Sequence, residues 1–424
     1  MINNSPKHTA HGFSLIELMI AIVIGIILLV GIISIFDTSS HLNRTQRGLA
    51  RIQENGRVAV LHLKHNIEQS TYQYCMGSSV LAQDNSAGVP QRPWKIFSTN
   101  FIAGMPKRED VIIDVDGDGQ ADAMTEAPAP YYIDPAYFIH GHECKDSDCA
   151  PDFTSLGTDK SFPMPAIGTA DGNRLANTDI LTIRYLSGSG KEIENINDSS
   201  EVNYTQNSIA MGVVSPSDEF PMIIMGCDNQ AAVVVDIQSS TAQSSTIQIP
   251  EPYEISGNLG SLSRAFSLDD FKTMTYYVAN NRVNGRSIAT LYLVENGRTE
   301  ALIEGVDRFD VLYGVQTISG DIRYIEAQAV DDIPSNECIR RPYKDISTGN
   351  QLMNTQGCGW RSVVSIEVHL LLNSVENSSN SETEAFIYSL DSNEYQQASD
   401  LPSNIEHYKM HRKEFIASIA LKNY

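Results

Sequence analysis

The stretch His11–Phe36, HGFSLIELMIAIVIGIILLVGIISIF, decides how this chain is read. From Leu15 onward it is apolar for long enough to cross a bilayer as a helix, which takes about 20 residues. One carboxylate, Glu17, sits close to its start. An acid costs about 2.5–3.5 kcal/mol at mid-membrane and less near a helix end. A secretory signal carries its small-residue cleavage site after the apolar core. Here Gly12 stands before the core and no A-x-A site follows, so the helix is expected to remain in the membrane. A cut after Gly12 would place the new amine of Phe13 one helical turn from Glu17. That amine is a natural counter-charge, in the same chain or in a neighbour. On the local residues alone, an acid merely tolerated at the membrane surface is an equal reading.

Outward from the anchor the helical pattern continues. No proline occurs between Phe13 and Val89, and Leu42, Leu49, Ile52, Val60, Leu63 and Ile67 fall on one narrow stripe. A helix from Phe13 to Tyr74 would be roughly 93 Å long at 1.5 Å per residue. Residues 50–74 are expected to pack on their own domain, and the membrane half on other subunits. Gly56 lies within the stripe, where it permits close backbone approach or local melting. His62 and His65 are expected at the surface of this helix.

The 424 residues carry a formal charge of −22, while Arg44, Arg47, Arg51, Arg57 and Lys64 cluster on the stalk. The acidic excess therefore falls on the body, which argues against nucleic-acid binding by a general basic surface. All six cysteines follow the membrane segment, an arrangement that suits disulfides in an oxidising compartment.

Gly12-Phe13-Ser14-Leu15-Ile16-Glu17-Leu18 resembles the class III leader of type IV pilins and type II secretion pseudopilins. The resemblance implies that a prepilin peptidase cuts after Gly12 and methylates Phe13. It also implies that Glu17 docks an incoming subunit through a neighbouring N-terminal amine, with the leader in the cytoplasm and the body outside. RIQENGRVAVLHLKHNIEQSTYQYC (Arg51–Cys75) narrows this: it is similar to the PilW type of minor pilin. YYVANNRVNGRSIATLYLVENGRTEALIEGVDRFDVLYGV (Tyr276–Val315) resembles the hairpin region of that family, and HRKEFIASIALKN (His411–Asn423) its closing strand. Residues 76–270 are largely outside the resemblance, the Cys227 neighbourhood excepted.

The body reads as β-rich. Strands are predicted at Asp179–Leu186, Pro221–Gly226, Ala231–Ile237, Ile288–Val294, Thr299–Glu304, Phe309–Val315, Ile322–Val330, Ser362–Leu372 and Phe415–Leu421. Asn296-Gly297 is a strong two-residue hairpin signal. Ser187–Gln206, Gln238–Gln248 and Asn373–Glu384 are Ser/Asn/Gln-rich and are expected to be surface loops. The expected organisation is a leader at 1–12, a transmembrane half-helix at 13–36, an amphipathic stalk at 37–74, a loop-rich insertion at 75–178 and a β-rich head at 179–424. The fold class is α+β, a pilin-like long helix laid on antiparallel sheet.

DVDGDGQADAMT (Asp114–Thr125) is the sharpest local motif for chemistry. Asp114, Asp116, Asp118 and Asp122 occupy positions 1, 3, 5 and 9 of a calcium loop around Gly119, with Gln120 offering its backbone carbonyl. Position 12 is Thr125 rather than Glu and no helix pair is evident, so the loop resembles those of extracellular calcium modules; an acidic turn is the plainer reading. HGHECKDSDC (His140–Cys149) makes zinc conceivable, but a local Cys144–Cys149 disulfide is simpler. Cys338–Cys358 would close a second loop, leaving Cys75 and Cys227 to pair; PilW-like proteins similarly carry a cysteine after the helix and one in a mid-chain strand region. Asp331-Asp332 is expected to be an exposed acidic turn. No G-x-S-x-G, H-E-x-x-H or phosphate-binding glycine loop is present, and no enzyme is expected.

The reading is a minor pilin that helps initiate type IV pilus assembly and sits in the tip complex. Its implied partners are prepilin peptidase during processing, other minor pilins, the major pilin and a large tip adhesin. It would begin as a single-pass inner-membrane precursor with a periplasmic head. A secretion pseudopilin and a calcium-dependent tip adhesin component are the competing readings; a membrane-tethered enzyme lacks a recognisable active site.

Overall fold

The structure, a computed structural model, describes residues 14–70, 72, 138–145, 148–151, 164–197, 201–204, 222–226, 231–240, 243–248, 263–267, 270–283, 285–295, 297–317, 319–334, 343–344, 351–352, 358–379, 385–390, 395–396, 401 and 409–422. The expectations for Gly12, Phe13, Cys75, the calcium loop (Asp114, Asp116, Asp118, Gln120 and Asp122), Cys227 and Cys338 lie outside them, as does the side chain of Cys358.

One helix, α1 (Leu15–Gln69), runs for 55 residues, about 82 Å at 1.5 Å per residue. The reading of Phe13–Tyr74 overshoots its C-terminal end. Ser70 leaves helical geometry at ψ 148°. Its N–H still bonds the Asn66 carbonyl at 3.0 Å, and its hydroxyl donates to the Ile67 carbonyl at 2.7 Å. Those bonds satisfy carbonyls that a helix end leaves open.

The chain then builds antiparallel sheet. β1 (Ile139–Lys145) and β2 (Asp148–Ala150) form a hairpin beside β3 (Ile180–Leu186). Six strands follow: β4 (Lys191–Asn197), β5 (Glu201–Tyr204), β6 (Met222–Gly226), β7 (Ala231–Ser240), β8 (Ser244–Gln248) and β9 (Arg264–Ser267). They close into a barrel in the order β4-β5-β8-β7-β6-β9. The chain re-enters the first sheet with β10 (Phe271–Val283), β11 (Arg286–Glu295) and β12 (Arg298–Glu304), completing the order β12-β11-β10-β3-β1-β2. Gly297, at φ +82°, makes the β11–β12 turn at the predicted Asn296-Gly297. Gly285, at φ +81°, lies in the connection from β10 to β11.

A second sheet has the order β14-β13-β17-β20, from β13 (Val306–Gln316), β14 (Ile322–Ile325), β17 (Val363–Asn373) and β20 (Arg412–Ala420). Two short pairs, β15 (Tyr343–Lys344) with β16 (Gln351–Leu352) and β18 (Phe386–Ile387) with β19 (Tyr395–Gln396), and two short helices, α2 (Ala327–Asp331) and α3 (Cys358–Arg361), complete the described elements. One apolar cluster joins α1 (Ile52, Leu63, Ile67) to the first sheet (Leu181, Tyr276, Leu291) and the second (Phe309, Ile366, Leu370).

Several sequence expectations need correction. The strand predicted at Ile322–Val330 stops at Ile325 and gives way to α2, because Ala327 and Val330, three apart, bury one helical face. Ser187–Gln206 and Gln238–Gln248 were expected as surface loops and instead supply β4, β5 and β8. Barrel strands need apolar residues only on their inward positions, and in β4 and β5 Ile193, Val202 and Tyr204 are buried between polar neighbours. In Asn373–Glu384, Ser374, Ser378 and Ser379 are buried rather than at the surface. Within 75–178, expected to be loop-rich, the described residues include β1 and β2, and Ile139–His142 is buried.

Candidate assembly site

The functional residues of an anchored helix divide into those that face the membrane and those that seat the helix on its head. The membrane half is bare in the isolated chain. Leu15–Phe36 holds large apolar side chains that are all more than half exposed, and α1 is, among the described residues, the helix long and apolar enough to cross a bilayer. Such a surface needs lipid or other helices around it.

Glu17 lies on this exposed half, in the first turn of α1. Its carboxylate accepts the backbone N–H of Ser14, the N-cap residue, at 2.9 Å. That bond satisfies one of the orphan donors of the helix start. Chemically, the site is a carboxylate held at the positive end of a long helix dipole, turned toward the chain's N-terminal side. An incoming amine would meet a pre-oriented acceptor.

The seat begins where the membrane half ends. From Gly48 the face Gly48, Ile52, Gly56, Ala59, Leu63, Asn66 and Ile67 is buried, whereas Leu42 and Leu49 of the predicted stripe are exposed. The stripe drifts around the helix, and only its lower part finds the sheet. Two glycines mark the closest approaches. A Cβ on Gly56 would lie 2.3 Å from Cζ of Phe415 on β20, and one on Gly48 would lie 2.6 Å from Cβ of Ser378.

Polar contacts line the same seat. Thr45 donates to the Ser378 carbonyl at 2.9 Å, and Arg51 pairs with Glu304 at 2.8 Å. Asn55 Nδ2 donates to the Glu304 carbonyl at 3.1 Å. Lys422 pairs with Glu68 at 2.6 Å, and that hydrogen bond holds the Glu68 carboxyl below its usual range. The inner fastening is Asn66, 4% exposed. It donates to Tyr276 Oη at 2.8 Å and accepts from Tyr185 Oη at 3.3 Å, tying α1 to β10 and β3. Burial pushes the Tyr276 hydroxyl well up, so it stays protonated. His62, expected at the surface, is half-buried beside this group with Nδ1 3.2 Å from Asn66 Nδ2, and burial lowers its pKa; His65 is exposed as expected.

In the predicted His/Cys cluster, Cys144 and Cys149 form a disulfide across the directly opposed positions of β1 and β2. Both thiols are thereby consumed, so the zinc alternative has no sulfur ligands. Arg174 Nη1 lies 3.4 Å and 3.5 Å from the two sulfurs, and burial lowers the Arg174 pKa to about 10. His142 Nδ1 is 2.6 Å from the Pro151 carbonyl. His140 stacks on Trp360 with ring centroids 4.4 Å apart, and burial holds it well below the usual histidine range. Asp331 and Asp332 are exposed as expected, and Asp331 accepts the Trp360 indole N–H at 3.1 Å.

Sequence reasoning missed two polar fastenings of the second sheet. Asp307, fully buried, accepts from Arg412 Nε at 2.8 Å and Asn373 Nδ2 at 2.7 Å. His369 is buried between Glu367 at 3.0 Å and Glu414 at 3.1 Å, and Ser389 donates to Glu414 at 2.7 Å. Apart from Glu367, two residues from His369, their partners lie far apart in sequence, so no local motif announces them.

Comparison with known proteins now bears on this geometry. Residues 275–423 match the family model of the type IV pilus-assembly protein W, and residues 7–33 match the prokaryotic N-terminal methylation motif. No match was found among curated proteins or solved structures. The methylation motif spans Gly12, Phe13 and Glu17, while the other match covers β11 to β20 and most of β10, including the strand that carries Phe415 against Gly56. That leader at one end, that strand set at the other and a bare apolar helix between together support a membrane-anchored type IV pilin of the PilW type.

Proposed function

We propose that this pilin helps initiate pilus assembly and becomes part of the tip complex. The observation that carries this reading is Glu17, a lone carboxylate pre-oriented at the start of an apolar helix whose side chains from Leu15 to Phe36 stand exposed among the described residues. Work is done by assembly rather than catalysis: apolar helices bundle, and the acid meets a neighbouring N-terminal amine. Such a pair in hydrocarbon is far stronger than in water, and it disfavours any register that leaves the acid unpaired. Prepilin peptidase, the other minor pilins, the major pilin and a large tip adhesin are the proposed partners, with the head outside the inner membrane before assembly. Calcium at Asp114, Asp116, Asp118, Gln120 and Asp122 belongs to the same proposal, supported by the spacing of the aspartates alone.

Glu17→Ala tests the docking role. The variant should be processed and inserted normally yet fail to restore pili to a strain lacking the wild-type gene. Normal piliation would remove the role of Glu17. Loss of secretion with intact pili, on deletion of the gene, would instead favour the pseudopilin reading.

A further inference from the structure

The closed barrel interrupts a sheet that does not need it. β3 and β10 are direct antiparallel neighbours, paired from Tyr276↔Leu181 out to Phe271↔Leu186. The pairing reaches one residue further, with the Ser187 N–H bonded to the Asp270 carbonyl at 2.6 Å. Everything from β4 to β9 therefore enters and leaves at the end of one hairpin, through two strands already held together. Among the described residues every ladder of β4–β9 is internal to the barrel, and β4 closes on β9 through Lys191↔Ala265 and Glu192↔Arg264. The barrel also has its own interior. Ile193, Val202, Tyr204, Ile223, Ile224, Met225 and Phe266 are buried, and none of them belongs to the apolar cluster that joins α1 to the two sheets. Both family matches fall outside it, at 7–33 and 275–423.

We infer that residues 188–269 are an inserted accessory domain, carried by the pilin and dispensable for its folding and subunit assembly. An insertion whose ends meet adds little closure cost to the sheet that bears it. A closed barrel also has no free strand edges through which to pair with its host. On this reading α1 and the two sheets do the work of assembly, and the barrel is free for a separate contact role. The assembly part rests on the function proposed above; the folding part does not.

The test replaces Gly188–Asp269 by Asn-Gly in the full-length chain, so that a two-residue turn joins Ser187 to Asp270, with Cys75→Ser because the deletion also removes Cys227, its expected partner. The expected result is a membrane-anchored protein that keeps the Cys144–Cys149 disulfide and restores pili as well as the wild-type gene does. A folded variant that restores no pili would place the barrel among the assembly contacts and overturn the inference. A variant that does not fold would overturn it too. Hydrogen exchange on the wild-type full chain gives an independent reading: amides of β6 and β7 should open separately from those of β10 and β17, and a single shared opening would contradict the proposal. Should the wild-type gene itself prove unnecessary for piliation, the proposed function fails while the folding and exchange results still decide this inference.

Discussion

Gly56→Ala sets two physical effects against each other, and the sign of the outcome reports whether the helix seat is real. In an exposed helix the change would stabilise by about 1 kcal/mol, because glycine is the poorer helix former. Here the added methyl would lie 2.3 Å from Cζ and 2.4 Å from Cε1 of Phe415. The ring must move or the helix must lift from β20, and overpacking of this kind costs typically 1–3 kcal/mol. Taking the middle of that range, the net loss is about 1 kcal/mol, or roughly 2–4 °C in melting temperature for a unit of a few hundred residues. Thermal unfolding of the detergent-solubilised full chain measures it. Phe415→Leu, which shortens the side chain, should relieve the clash. The double variant should then show a favourable coupling of about 2 kcal/mol relative to the sum of the single changes. A rise in melting temperature for Gly56→Ala alone, the result that helix propensity by itself gives, would refute the seat.

Two further outcomes follow from the buried and acidic groups. His140 is held neutral by burial, so the unfolded chain takes up a proton below about pH 6.5 that the folded chain refuses. Stability should therefore fall by up to about 1.4 kcal/mol per pH unit below that point. His140→Phe, which keeps the stacking surface on Trp360, should flatten the fall between neutral pH and pH 5, and an unchanged slope would show that other groups cause it. Calcium should raise the melting temperature of the wild-type protein, and Asp116→Ala should abolish the rise; no response of the wild-type chain to calcium would remove the site.

What could be read from the sequence depended on how local the signal was. The anchor was legible because Leu18–Phe36, apolar but for Ser34 and two glycines, has few other uses, and Glu17 because it interrupts the apolar stretch that begins at Leu15. The turn at Asn296-Gly297 was legible because two positive φ angles demand such residues; Asn284-Gly285 carried an equal signal. The barrel was not legible: β4, β5 and β8 set few apolar residues among many polar and charged ones, which looks like loop until the strands close on one another. Ser374 and Ser378 were read as surface for the same reason, yet small polar side chains suit a place where a helix glycine must come close. The Asn66–Tyr276, Asp307–Asn373 and His369–Glu414 contacts join residues more than forty positions apart, which no local pattern announces.

The mature N-terminus tests the central claim most directly. Mass spectrometry of the protein taken from membranes should find a chain that starts at Phe13, with one methyl group on its amine and Glu17 four residues further on. A mature chain that keeps Met1–Gly12, or that is cut after the apolar helix, would leave no amine beside the carboxylate and would contradict the account.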